Sequence, residues 1–299
     1  GMIRIPSNLR DSPKRMTLPE LLALRSQPDE HIRVRGFRRE LAEAIRLEDA
    51  AASMAARLER SGAVEFTSRT AGTYRVENAR RSGMRLVPRT GSAIIVRQSE
   101  GGTDRRIFEA AFARIREDPG TGLGTVTSGL TMGEPQRPDD LRLRLELEDV
   151  AWYDADDSAN RNLRESVPLE ALRLPGFDDR ELLEASASDL AARLDAGDYP
   201  EAVHTRRARL SEYTDRLRRE IDARMTSRFA TSATAVLLLL LGATLAMWRR
   251  GDSPLQIYLY AFLPSVLDLI LISSGEHLVR DGAVLGGMAV MWSGNAILL

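Results

Sequence analysis

Arg228 to Arg250 reads RFATSATAVLLLLLGATLAMWRR, and no ionisable side chain occurs between Phe229 and Met247. A run of about 20 apolar residues is what a helix needs to cross the hydrocarbon core of a bilayer. Trp248 and the Arg249-Arg250 pair then supply an interfacial aromatic and a charged stop. Two more runs follow: Leu255 to Ser274 contains a single acid, Asp268, and Ala283 to Leu299 contains none. Short polar turns, RRGDSP and GEHLVRDG, separate the three runs. The pattern predicts three membrane helices, at about 229–248, 255–275 and 283–299, threading back and forth. A helical bundle folded in water would keep a polar stripe on each helix, and these runs have almost none.

The rest of the chain is different in kind. Charged residues make up 28% of the 299 residues and the net charge is −1. Acids balance arginines, and Lys14 is the only lysine, so there is no basic excess for a nucleic-acid partner. With no cysteine, disulfides and thiolate chemistry are excluded. Gly1 ahead of Met2, and a last stretch NAILL with no polar flank, predict a piece of a longer chain.

Leu141 to Leu147 reads LRLRLEL, strict alternation that puts Leu141, Leu143, Leu145 and Leu147 on one face of a strand and every charge on the other. Similar strands are predicted at Ala63–Arg69, Thr73–Ala79, Met84–Pro88, Ser92–Gln98 and Gly124–Leu130. Arg106–Glu117 fits either period and is taken as strand from its neighbours. Turn residues TAG, RSG, RTG, EGG and DPGTGLG punctuate them, the rhythm of a sandwich or jelly roll.

Helices flank this block. TLPELLAL has Thr17 as cap and Pro19 in the first turn, and Phe37, Leu41, Ile45, Ala51, Met54 and Leu58 form an amphipathic stripe after it. Leu182, Leu183, Leu190 and Leu194 suggest a helix beyond the strands. Leu210, Tyr213, Leu217, Ile221 and Met225 give one more stripe, with Glu212, Asp215 and Glu220 each four residues ahead of an arginine. That helix should run directly into the first apolar span. The expected fold is an α+β membrane protein: an N-terminal helical segment (1–61), an antiparallel β-jelly-roll-like domain (62–176), a helical connector (177–226) and three transmembrane helices (227–299).

Chemistry-bearing motifs are sparse. His31, His204 and His277 have no metal-ligand spacing. GTGLG at 120–124 leads into a strand pattern with no Lys-Ser/Thr ending, so it reads as a turn. No serine has a nucleophile-elbow context. These readings predict no catalytic residue, no metal site and no cofactor. Asp268 stands out, because an acid inside a spanning helix is costly and marks either a function or a hydrogen bond to a neighbouring helix. Arg224 and Arg228 sit where the amphipathic helix meets the apolar run, placed to grip lipid phosphates or to anchor at the interface.

The stretches EIDARMTSRFATSATAVLLLLLGATLA and PLQIYLYAFLPSVLDLILISSGEHLVRDG, with MWSGN near the end, resemble the C-terminal half of the lipopolysaccharide-export permeases, the LptF/LptG-like (YjgP/YjgQ) family. AAFARIREDPGTG and VPLEALRLP resemble the strands and exit of that family's periplasmic β-jelly-roll domain. Residues before Ser61 match nothing in it. The resemblance implies a non-enzymatic permease subunit in the inner membrane, with its soluble domain in the periplasm. Implied partners are lipopolysaccharide or a related lipid, a second LptF/LptG-like subunit, an LptB-type ATPase and LptC/LptA-like periplasmic proteins. Arg224, Arg228, Asp268, Leu141, Leu143, Leu145 and Leu147 would be its lipid-contact candidates; each leucine would either cradle acyl chains or fill the core. Charge bias opposes this orientation: Arg216, Arg218, Arg219, Arg224 and Arg228 lie on the domain side of the first span, against Arg249 and Arg250 beyond it. The alternative function is a membrane-anchored envelope scaffold whose sheet binds proteins.

Overall fold

The computed structural model describes residues 13–68, 71–118, 141–178, 180–249 and 253–298. The chain divides into two compact units, 39–204 and 1–38 with 205–299, each described by itself. The strand expected at Gly124–Leu130 and the GTGLG turn lie outside the described residues.

The 39–204 unit is an antiparallel sheet with helical cover. Its strands are β1 (Ala63–Ser68), β2 (Gly72–Glu77), β3 (Ala79–Ser82), β4 (Arg85–Pro88), β5 (Ile94–Glu100), β6 (Thr103–Glu117), β7 (Leu143–Asp154) and β8 (Asp157–Arg173). They pair in the order β3-β4-β6-β5-β2-β1-β8-β7, and β7 also pairs with β6. Six strands therefore close on themselves, while the β3–β4 hairpin hangs from the far end of β6 at Arg85 and Leu86. The ring is wide where β6 meets β7, from Arg106↔Asp154 to Glu117↔Leu143. It is narrowest between β1 and β8, which share only Thr67↔Arg173 and Ser68↔Leu172. Gly72 opens β2 at φ +80°, and a side chain there would collide with the Ser99 carbonyl of β5, so the hairpin requires glycine.

Alternation along each strand sends one set of side chains inward. Phe66, Ile94, Leu143, Leu145, Leu147 and Leu172 are fully buried. Each such leucine contributes roughly 1.5–3 kcal/mol by leaving water. The second half of α2 (Ile32–Ser61) enters the same core through Ala50, Ala51, Met54 and Leu58. Arg106–Glu117 is strand throughout, as its neighbours predict. The 39–204 unit also holds α3 (Arg180–Glu184) and α4 (Ala187–Ala196), with α4 tied to α2 by Arg193 Nη2 to Asp49 Oδ2 at 2.8 Å.

The other unit is helical. α1 (Leu18–Ser26) starts at Thr17, whose N–H and hydroxyl both donate to Glu20, at 2.6 and 2.9 Å; these bonds hold the Glu20 carboxyl below its usual range. α5 is a single helix from Glu201 to Trp248, so the amphipathic stripe and the first apolar run are one unbroken element. No proline or glycine interrupts it before Gly242. α6 (Pro254–Arg280) returns, and α7 (Val284–Leu298) follows. Among the described residues two helices, α5 and α6, are long and apolar enough to cross a membrane. α7, expected as a third span, is an apolar helix over the 15 described residues Val284–Leu298.

Candidate functional site

α5, α6 and α7 share a seam of small and apolar side chains: Ala223 and Ala230 from α5, Ile272 and Val279 from α6, and Met291 from α7. Gly275 and Gly287 bring α6 and α7 together. A Cβ on Gly275 would lie 2.5 Å from the Gly287 carbonyl oxygen and 2.8 Å from the Met291 nitrogen, so only hydrogen fits. Two polar clusters sit along this seam.

The first lies just outside the apolar stretch. Glu276 of α6 accepts from Arg224 of α5 at 2.9 Å and also from Arg280, one turn along its own helix. Arg219 reaches the turn after α6, where a methyl on Gly282 would lie 3.7 Å from its Nη1. The Nε atoms of Arg219, Arg224 and Arg280 are buried and have no hydrogen-bond partner among the described residues. Arg224 and Arg280 share the one Glu276 carboxylate, which leaves the pair with net positive charge, an arrangement suited to an anionic oxygen group. Arg228 is committed elsewhere: its Nη2 donates to the Met16 carbonyl at 2.5 Å.

The second cluster lies within the apolar stretch. Asp268 is 1% exposed and hydrogen-bonds Thr234 of α5 through Oδ2. Thr234 Oγ1 also lies 2.9 Å from the Ala230 carbonyl and 3.0 Å from Asn295 Oδ1 of α7, and Asn295 Nδ2 donates to the same carbonyl at 3.2 Å. Each helix thus contributes one polar side chain. Thr234 is five residues inside Phe229, so Asp268 sits roughly 8 Å into the apolar zone, on the side nearer the arginines.

Around these clusters the helices present apolar surface outward. Leu239 is 72% exposed, Leu285 85%, and Val236, Met247, Leu255, Leu263, Ile270 and Ile297 are exposed as well. A surface of this kind needs a non-aqueous cover. At the far end, Arg249 lies over the rings of Trp248 and Tyr260, at 5.6 and 5.0 Å, an aromatic-cation girdle of the type found at membrane surfaces.

Of the residues singled out from sequence, Arg224 and Asp268 fall in these two clusters, and Arg228 is tied to backbone. Leu141, Leu143, Leu145 and Leu147 belong to the 39–204 unit, where they line the packed interior. Arg219, Glu276, Arg280, Thr234, Gly294 and Asn295 were not singled out. Asn295 is the one amide in its apolar run, but Thr234 is one of several hydroxyls in its own, and nothing in the sequence pairs either with Asp268.

These features define an α+β chain with an antiparallel sheet and two helices long and apolar enough to cross a membrane. No family model matches the chain, and no curated protein matches it.

Proposed function

We propose that the chain is the sheet-bearing part of a lipid-export permease of the lipopolysaccharide-export kind, embedded in lipid through α5, α6 and α7 and performing no bond chemistry. The arginine cluster at Glu276 carries this reading. It sets two part-exposed guanidiniums against a single carboxylate immediately outside the apolar stretch, the level at which lipid phosphates lie. On this reading the six-strand ring is the family's β-jelly-roll, and the exposed apolar side chains of the helices face acyl chains. The driving ATPase, the second permease subunit and the periplasmic bridge proteins are separate polypeptides. The sheet lies on the periplasmic side on this reading, against the arginine count beside the first span.

The test is a photo-crosslinking residue at Leu278, which is exposed on α6 two residues before Arg280. In intact cells the expected adduct is lipopolysaccharide, lost in Arg224→Gln/Arg280→Gln. Adducts to protein alone would replace the transport reading with a scaffold.

A further inference from the structure

The inner cluster holds more acceptor lone pairs than hydrogens. Thr234 Oγ1 is within hydrogen-bond reach of three oxygens, those of Ala230, Asn295 and Asp268, and a hydroxyl carries one hydrogen. Asn295 spends an amide hydrogen on the Ala230 carbonyl. Asp268 Oδ1 is buried without a partner among the described residues.

Among the described residues no cation answers the carboxyl. α7 has no ionisable residue. On α5 the nearest arginines, Arg224 and Arg228, are held by Glu276 and Met16. On α6 the nearest charges, Glu276 and Arg280, pair with each other. On α1, Glu20 is bonded to Thr17 and Arg25 to Asp222. An isolated carboxylate in so apolar a place is strongly disfavoured. What is missing is positive and small. Gly294 packs so closely on Asp268 that even a methyl there would overlap Oδ1, so that side of the oxygen is closed by α7.

We propose that Asp268, Thr234 and Asn295 form a proton-binding site. The proton sits on Asp268 Oδ2 and is donated to Thr234 Oγ1, whose own hydrogen passes to the Ala230 carbonyl or to Asn295 Oδ1. Two of the three oxygen–oxygen contacts at Thr234 then have a hydrogen, where an ionised carboxylate would leave only one. Release of the proton leaves an unpaired carboxylate at the point where all three helices meet, so α5, α6 and α7 must part or admit water to solvate it. Proton occupancy and helix closure are thereby linked. The inference does not depend on which lipid, if any, the chain carries.

Infrared difference spectroscopy of the full chain in phospholipid vesicles at neutral pH tests it. The expected spectrum contains a protonated-carboxyl C=O band that shifts in D2O and is lost in Asp268→Asn, whose amide mimics the neutral acid. Thr234→Val keeps the shape but removes the acceptor, and should move the band to higher frequency. That shift decides the matter on its own if Asp268→Asn fails to fold. A spectrum with no band sensitive to either substitution would overturn the proposal, as would a band abolished by added sodium, which would assign the site to a metal ion.

Discussion

Glu276 on α6 receives Arg224 of α5 at 2.9 Å through Oε1, the oxygen that also receives Arg280. One carboxylate therefore joins two helices and restrains two guanidiniums. Glu276→Gln should destabilise the helical unit by about 1–3 kcal/mol, because charged hydrogen bonds are lost around largely covered groups. A double-mutant cycle with Arg224→Met, measured by denaturant titration in detergent, should show coupling of about 0.5 kcal/mol or more. Additive effects would mean that the two side chains do not act together.

The approach of α6 to α7 rests on Gly275 and Gly287. Gly287→Ala would place a methyl 2.6 Å from the Gly275 carbonyl oxygen and 2.7 Å from the Val279 nitrogen. It should cost about 1–3 kcal/mol through overpacking. Gly286→Ala, with nothing within 4 Å, should be tolerated. Thermal unfolding of both variants in the same detergent separates them; equal stability would contradict the close packing.

Leu145 in β7 is fully buried, whereas Leu163 in β8 is 82% exposed. Leu145→Ala should destabilise the sheet unit by about 2–5 kcal/mol, the range for a buried leucine that leaves a cavity. Leu163→Ala should change stability by less than about 0.5 kcal/mol. A mild effect at Leu145 would indicate that the leucine face is an open lipid-binding surface and not a filled core.

Much of this architecture is legible in the sequence, and the exceptions have physical causes. β7 announces itself by alternating leucines, and α5 by a stripe that merges into an apolar run without a helix breaker. β8 does not. Its sequence DSANRNLRESVPLEALR is exposed along most of its length, and it is held by its ladder to β7 instead of by an apolar face of its own. The role of α2 in the sheet core was equally hidden, because an amphipathic stripe shows that a face is buried but not what buries it. At the inner cluster, Asp268 is visible as an isolated acid. Its partners Thr234 and Asn295 stand 34 and 27 residues away in sequence, and only the helix packing brings them together.

Acid should weaken one corner of the sheet. Asp104 in β6 accepts from the Ser99 hydroxyl at 2.6 Å and lies beside Arg97, and its carboxyl is held below the usual aspartate range, chiefly by the serine. A lowered folded-state value means that the contribution is present above the unfolded-state value and is lost as pH falls through the folded one. Asp104 is substantially exposed, so solvent screens the effect to a modest size. Denaturant midpoints should decline on acidification in the native chain and decline less in Asp104→Asn. Identical acid limbs would remove Asp104 from the account.

The central claim is that lipid covers the apolar surface of α5, α6 and α7. The chain's three tryptophans allow a direct measurement: Trp248 and Trp292 lie on these helices, and Trp152 lies in the sheet. With single-tryptophan variants reconstituted in vesicles, acyl chains brominated along their length should quench Trp292 and Trp248 and leave Trp152 bright. Equal, weak quenching of all three, together with a full chain that stays monodisperse in detergent-free buffer, would contradict it.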